Sequence, residues 1–308
     1  MVLKFTINKL QKIIYHWLYF WHKIYALWLQ LISPKQQNGK LALHLMFKNE
    51  AGFLKEWLDF HFAHGVDFIR LTNDGSEDDF QSVLEPYRQR GLLEWGDSIN
   101  HPDFYKREEY HKNKAMRNLE KNFQWIAFID SDEYIFPLPG DDLKTHLPKS
   151  EKCGGLVLNW LMYGTAHVEK IEEGEFLIDK LNRRFPNLYA ENYTVKTIVQ
   201  SGYGAHFFNK NPHFPLYSPY APLRWQDGQK FSPSEKRLVL EPLHIKHYWY
   251  RSEKFFREVK RARRIFFEGA ERSEILERWH YERSNAVYDP LDPIYQESII
   301  AWRGGQKS

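Results

Sequence analysis

From Leu41 onward, short apolar runs alternate with segments of helical period, and few folds accept that alternation. Residues 41–47 (LALHLMF) are long enough for a buried parallel strand and too short for a core helix. Over residues 50–64, Phe53, Leu54, Trp57, Leu58 and Phe62 recur at the spacing of one helix face. Residues 68–71 read as a second strand, closed by the turn sequence Asn73-Asp74-Gly75-Ser76. The pattern continues with helix 80–89, strand 92–95, helix 108–122, strand 125–129 and strand 155–163. Parallel neighbours need crossover helices, so the expected fold is α/β, a mostly parallel sheet with helices on both faces. Residues 182–235, rich in Pro, Gly, Asn and aromatics, read as long loops over the site. Residues 252–268 read as a basic helix with Phe255, Phe256, Val259 and Ile265 as its apolar stripe.

In open sheets of this class ligands bind beyond the carboxyl ends of the strands. Asn49, Asp74, Asp97 and Asp130 all fall at such exits, although each is also an ordinary turn former. Residues 125–133 (WIAFIDSDE) carry more weight, because an apolar strand runs straight into carboxylates that must meet water, a cation or a metal. Asp130 and Asp132, two apart on a turn, can aim at one hard cation and leave room for phosphate oxygens. Mg²⁺ and Mn²⁺ prefer such donors and commonly share their coordination with a diphosphate. A phosphatase-type D-x-D opens a chain's first strand, whereas this one lies mid-chain and is followed by Tyr134.

Ahead of the sheet lies a segment that invites reading as a membrane span. On a helix advancing about 100° per residue, Lys4, Asn8, Lys9, Gln11, Lys12, His16, His22, Lys23 and Gln30 share one half-circle. Leu3, Ile7, Leu10, Ile13, Ile14, Trp17, Trp21, Ile24, Trp28 and Ile32 share the other. A span would put Lys23 near the bilayer centre, at about 2.5–3.5 kcal/mol. An amphipathic helix over 1–32, lying in a membrane interface, is therefore preferred to a span or to a helix packed on its own domain. Residues 33–40 read as a linker, 41–300 as the α/β domain and 301–308 as a tail. No small-residue cleavage site follows the apolar stretch, so no cleaved leader is expected. Cys153 is the single cysteine, which excludes an intrachain disulfide. With 43 basic against 40 acidic residues, the charge of +3 gives no reason to expect a nucleic-acid partner.

A series of short motifs narrows the reading. Lys48-Asn49-Glu50, Glu56-Trp57 with His61, Gly65-Val66, Asn73-Asp74-Gly75-Ser76 with Asp78, and Asp130-Ser131-Asp132-Glu133-Tyr134 come in this order. Residues 195–199 (VKTIV), Pro212-His213-Phe214-Pro215 and His247-Tyr248 with Arg251-Ser252 and Phe255 follow. The series, over roughly residues 41–300, resembles glycosyltransferase family 92 and its bacterial relatives. The resemblance implies a GT-A (Rossmann-like) fold, a divalent metal (Mn²⁺ or Mg²⁺) and a nucleotide-sugar donor, expected to be UDP-linked. It also implies inverting transfer of a hexose to a glycan or glycolipid acceptor.

By the same resemblance Asn49, Glu50, Asp74, Asn113, Asp130 and Lys196 would hold the nucleotide sugar. Asp130, Asp132 and His247 would hold the metal, Asp132 most directly, with His244 as the alternative histidine. Lys114, Arg251 and Arg261 are further cations that could assist. The family's usual hydrophobic residue inside the motif is Ser131 here, its Phe is Tyr134, and its Gln in the preceding helix has no counterpart. No general base is singled out among the carboxylates from Glu169 to Glu191 or at His167. The expected location is peripheral, at the cytoplasmic face of a bacterial inner membrane. The competing reading is a membrane-associated nucleotide-sugar-binding protein without turnover.

Overall fold

Alternation along β1 (Leu41–Phe47) sets how the two faces of the sheet are used. Leu41, Leu43, Leu45 and Phe47 join one buried cluster, while Ala42 joins another on the opposite face. The computed structural model describes residues 2–36, 38–149, 153–172, 174–261 and 281–305. In it α2 (Ala51–Ala63), α3 (Phe80–Gln89) and a C-terminal helix (Pro293–Gly304) pack on the leucine face. Helix α4 (Phe104–Leu119) packs on the alanine face through Ala115, Met116 and Leu119. This is the expected α/β architecture.

The parallel block is β3 (Leu93–Asp97), β2 (Phe68–Asn73), β1 and β4 (Trp125–Phe128), in that spatial order. Beyond β4 the sheet changes character. Strand β8 (Val195–Gln200) runs antiparallel to both β4 and β6 (Gly155–Met162). β10 (His244–His247) then lies parallel to β6, and β5 (Glu133–Phe136) closes the edge antiparallel to β10. The two-residue strand β9 (Leu223–Arg224) pairs with β6, and β7 (Arg183–Arg184) pairs with β11 (Val287–Tyr288) in a separate ribbon.

Three expectations need correction. Residues 182–235 are not all loop, because every residue of β8 is buried in the middle of the sheet. Lys196 breaks that strand's apolar run and hides it from periodicity. Helix α4 starts at Phe104 rather than at 108, since Asp103 caps it by accepting a hydrogen bond from the Lys106 amide (3.3 Å). Residues 253–255 are α-helical as expected, but Phe256–Arg261 is π-helical. The remainder of the expected basic helix, with Ile265, lies outside the described residues.

Helix α1 (Val2–Ile32) meets the domain with its polar side. The His22 Nδ1 lies 2.9 Å from His206 Nε2, the Lys23 ammonium donates to the Tyr217 carbonyl (3.3 Å), and Ala26 is fully buried. Trp17, Phe20, Trp21, Ile24, Trp28 and Leu31 point outward, with Trp17 61% and Leu31 84% exposed. A helix that only completed a soluble core would be turned the other way. Among the described residues, no helix is long and apolar enough to cross a membrane.

The helix comes close at Gly204, whose backbone is left-handed (φ +68°), and a Cβ there would lie 2.0 Å from the Ala26 carbonyl oxygen. Gly204→Ala therefore has to strain its own backbone and push the helix away. We expect a loss of about 1–3 kcal/mol in urea denaturation. A variant as stable as wild type would mean that α1 is not seated as described.

Candidate functional site

The strand exits do converge. Asn49 follows β1 in a left-handed conformation (φ 56°), which Asn tolerates better than most residues. Its amide donates to Ser76 Oγ (2.9 Å), and its side-chain oxygen accepts from the Glu77 amide (2.8 Å). Asn49 thus joins the loop after β1 to the loop after β2. Asp74, at the exit of β2, accepts two hydrogen bonds from the Arg107 guanidinium (2.8 and 2.7 Å), a fork geometry that fixes both partners. Asn73 at the same exit donates to Asp97, the last residue of β3 (2.8 Å).

The acidic turn lies between β4 and β5. Asp130 Oδ2 accepts from the Lys196 ammonium at 2.6 Å, and that lysine is only 1% exposed. Because β8 is antiparallel to β4, its second residue arrives beside the end of β4, where Thr197 pairs with Phe128. Glu133 lies on the other side of Lys196, 3.5 Å away, and accepts from the Asp130 amide through its second oxygen (2.9 Å). Desolvation works against the Asp130 charge, but Lys196 and then Lys112 outweigh it and hold this carboxyl near 2. Burial dominates at Glu133, raising it to about 7 despite Lys196. At Lys196 burial opposes the charge, yet Asp130 and Glu133 together keep the ammonium firmly protonated.

Asp132 faces a different pair. One oxygen lies 3.3 Å from His247 Nε2 at the end of β10, and the other accepts from Lys260 at 2.8 Å. Burial would raise this carboxyl, but Lys260 and then His247 hold it well below the usual range. The His247 ring stacks at a tilt on Trp160 (4.3 Å between centroids), which fixes its orientation. His244, three residues earlier on β10, falls on the opposite face by strand alternation and stacks on Phe136. Burial pushes it down to about 3.

Arg251 completes the floor of the site. It is buried with positive φ (52°) between the rings of Phe53 (3.8 Å) and Phe255 (4.7 Å). Its guanidinium pairs with Glu50 (2.6 Å) and reaches Ser131 Oγ (3.4 Å). Glu50, Arg251 and Ser131 thereby form one connected group beside Asp132.

The structure brings Asp130, Asp132, Lys196, His247 and Glu50 together, with Asn49 and Asp74 on the adjoining strand exits. It does not bring Asn113 to them, since that side chain exchanges two hydrogen bonds with the Phe207 backbone (2.9 and 2.8 Å). Lys260, Arg107 and the linking role of Glu133 escaped the sequence reading. Lys260 and Arg107 sit among other cations on helical segments, and nothing in their spacing separates them from surface charges. Within the 169–191 window, Glu169 pairs with Arg257 (2.5 Å), whereas Glu191 has a buried oxygen without a hydrogen-bond partner.

Among the described residues no three His, Cys, Asp or Glu side chains come together as a complete metal cage. Asp132 and His247 do converge, and an ammonium already sits on the carboxylate where a cation would. Mg²⁺ and Mn²⁺ commonly take one or two protein ligands and fill the remainder with phosphate oxygens and water. The donor pair therefore fits a metal shared with a diphosphate and does not fit a permanent all-protein site.

Two groups of known proteins are similar to this chain. The model of glycosyltransferase family 92 matches residues 44–252. A glycosyltransferase family 92 protein of Ricinus communis is 24% identical over 241 residues, covering 73% of this chain. The chain spans only about two-fifths (39%) of that relative's length. Among solved structures, residues 1–349 of S. aureus TarS in complex with UDP share 17% identity over 52% of this chain and 46% of that one, with a TM-score of 0.33. Glucosyl-3-phosphoglycerate synthase of Mycobacterium tuberculosis, in complex with Mn²⁺, UDP and glucosyl-3-phosphoglycerate, shares 14% over 53% and 57%, with a TM-score of 0.28.

The coupled trio gives a pH test. A carboxyl raised from 4.5 to about 7 stabilises the fold below 4.5 and loses that contribution as pH rises through 7. Glu133→Gln should remove this decline. Its melting temperature relative to wild type should therefore rise between about pH 4.5 and 7 and level off above. A constant difference across that window would contradict the assignment.

Proposed function

The chain belongs to glycosyltransferase family 92, and we propose that it transfers a hexose, with inversion, from a UDP-linked sugar to a glycan or glycolipid acceptor. The observation that carries this reading is the acidic turn at the end of β4, with Asp130 set by buried Lys196 and Asp132 facing His247. A divalent metal held by Asp132 and His247 would offset the charge that builds on the departing diphosphate. Asn49, Glu50 and Asp74, on the exits of β1 and β2, would take the nucleoside. Arg251 holds Glu50 and Ser131 in place, and Trp160 keeps the His247 imidazole aimed at Asp132. Lys196 keeps Asp130 ionised and fixed, so its carboxylate is already oriented when the donor arrives.

The test is UDP-sugar hydrolysis with Mn²⁺ present. Asp132→Ala should lower the rate by about 100-fold or more if Asp132 sets the cation. Equal rates would sink the metal assignment, and UDP binding without turnover by wild type would favour the competing reading of a binding protein.

The membrane contact rests on a separate observation. Helix α1 turns Trp17, Trp21, Ile24 and Trp28 away from the domain. No acidic residue precedes Glu50, whereas seven lysines do. An apolar aromatic face set among lysines suits the interface of an anionic membrane, and a lipid-linked acceptor would be presented there. This reading places the protein peripherally, on the cytoplasmic face. The joint Trp17, Trp21 and Trp28→Ser variant should lose about tenfold or more in co-sedimentation with anionic vesicles. Unchanged sedimentation would remove the helix from consideration as the anchor.

A further inference from the structure

We infer that Lys260 is a donor-binding residue with two posts: its ammonium rests on Asp132 when the site is empty and moves to the diphosphate when metal and nucleotide enter. This rests on the donor-site reading above. The Lys260 Nζ lies 2.8 Å from one Asp132 oxygen while His247 lies 3.3 Å from the other, so both oxygens are engaged. Lys260 is 11% exposed and Asp132 10%, which leaves little water to screen the pair. An ammonium and a divalent ion cannot both sit against one carboxylate without strong mutual repulsion. A metal on the His247-facing oxygen would therefore repel the ammonium on the other oxygen and favour its departure.

Two other buried cations of the site, Lys196 and Arg251, cannot answer in the same way. Lys196 is held between Asp130 and Glu133, and Arg251 is held by Glu50 between two phenyl rings. Both are 1% exposed and fixed by groups other than Asp132. Lys260 is instead held by the carboxylate that the metal would claim. Its flexible four-carbon stem allows the ammonium to swing without moving the backbone. The Trp249 ring, 5.1 Å from Nζ, offers a face to the ammonium during that movement. The stem springs from the π-helical Phe256–Arg261, a form of helix that is rare and concentrates at functional sites. Once released, the ammonium would still be within its stem's reach of a diphosphate bound together with a metal at Asp132. Lys260 should thus oppose the metal alone and favour the metal together with a diphosphate.

Removing the charge should move two affinities in opposite directions, which general damage to the site would not do. Mn²⁺ binding without nucleotide is read by electron paramagnetic resonance, and Lys260→Gln should tighten it by about three- to tenfold. UDP binding at saturating Mn²⁺ is read by calorimetry, and the same variant should weaken it by about tenfold. Lys260→Arg keeps the charge and should return UDP affinity close to the wild-type value. If the wild type binds Mn²⁺ and UDP and Lys260→Gln changes neither, or weakens both, the inference fails alone. If the wild type binds neither, the donor-site reading fails and takes the inference with it.

Discussion

A single buried ammonium organises the site. Lys196 is drawn into the middle of the sheet and would be prohibitive there alone, since an unpaired buried charge is among the costliest groups a fold can hold. Asp130 at 2.6 Å and Glu133 at 3.5 Å make it tolerable. In return it fixes Asp130 in the turn between β4 and β5 and Glu133 at the start of β5, and Asp132 lies between them in sequence. The pair therefore acts on the direction of the acidic turn more than on stability. Without Lys196, Asp130 and Glu133 would have no common cation.

Much of this was legible in the residues themselves. Short apolar runs and segments of helical period over residues 41–129 placed the parallel block and three of its helices to within a few residues. The apolar run into Asp130 marked the turn, and the motif series from Lys48 to His247 implied which strand exits would meet. Pattern could not convey what lies across the sheet. Lys196 interrupts an otherwise apolar strand, so β8 looked like part of a loop. Lys260 is one of many cations in a basic stretch, and only its approach to Asp132 separates it from its neighbours. Asn113 reads as a site residue by resemblance, yet its amide serves the Phe207 backbone. Each case depends on contacts between residues distant in sequence, which no local period encodes.

Helix α1 shows the limit of amphipathicity as a guide. Two faces were evident from spacing, and a soluble helix would bury the apolar one. Here His22, Lys23 and Ala26 provide the seat, with hydrogen bonds and a close backbone approach replacing hydrophobic burial. Spacing identifies the faces, but only the partner decides which one turns inward.

The reversal of strand direction after β4 bears on how the site is assembled. Its rim draws on the ends of β1, β2 and β4, the start of β8 and the end of β10, nearly two hundred residues apart in the chain. No early folding intermediate limited to the parallel block can contain it. Sequence-distant pairings of this kind form slowly, because loop closure must precede any contact energy. Completing the sheet and assembling the site are consequently one cooperative event. A nascent or partly opened chain would have an exposed β4 edge but no competent site.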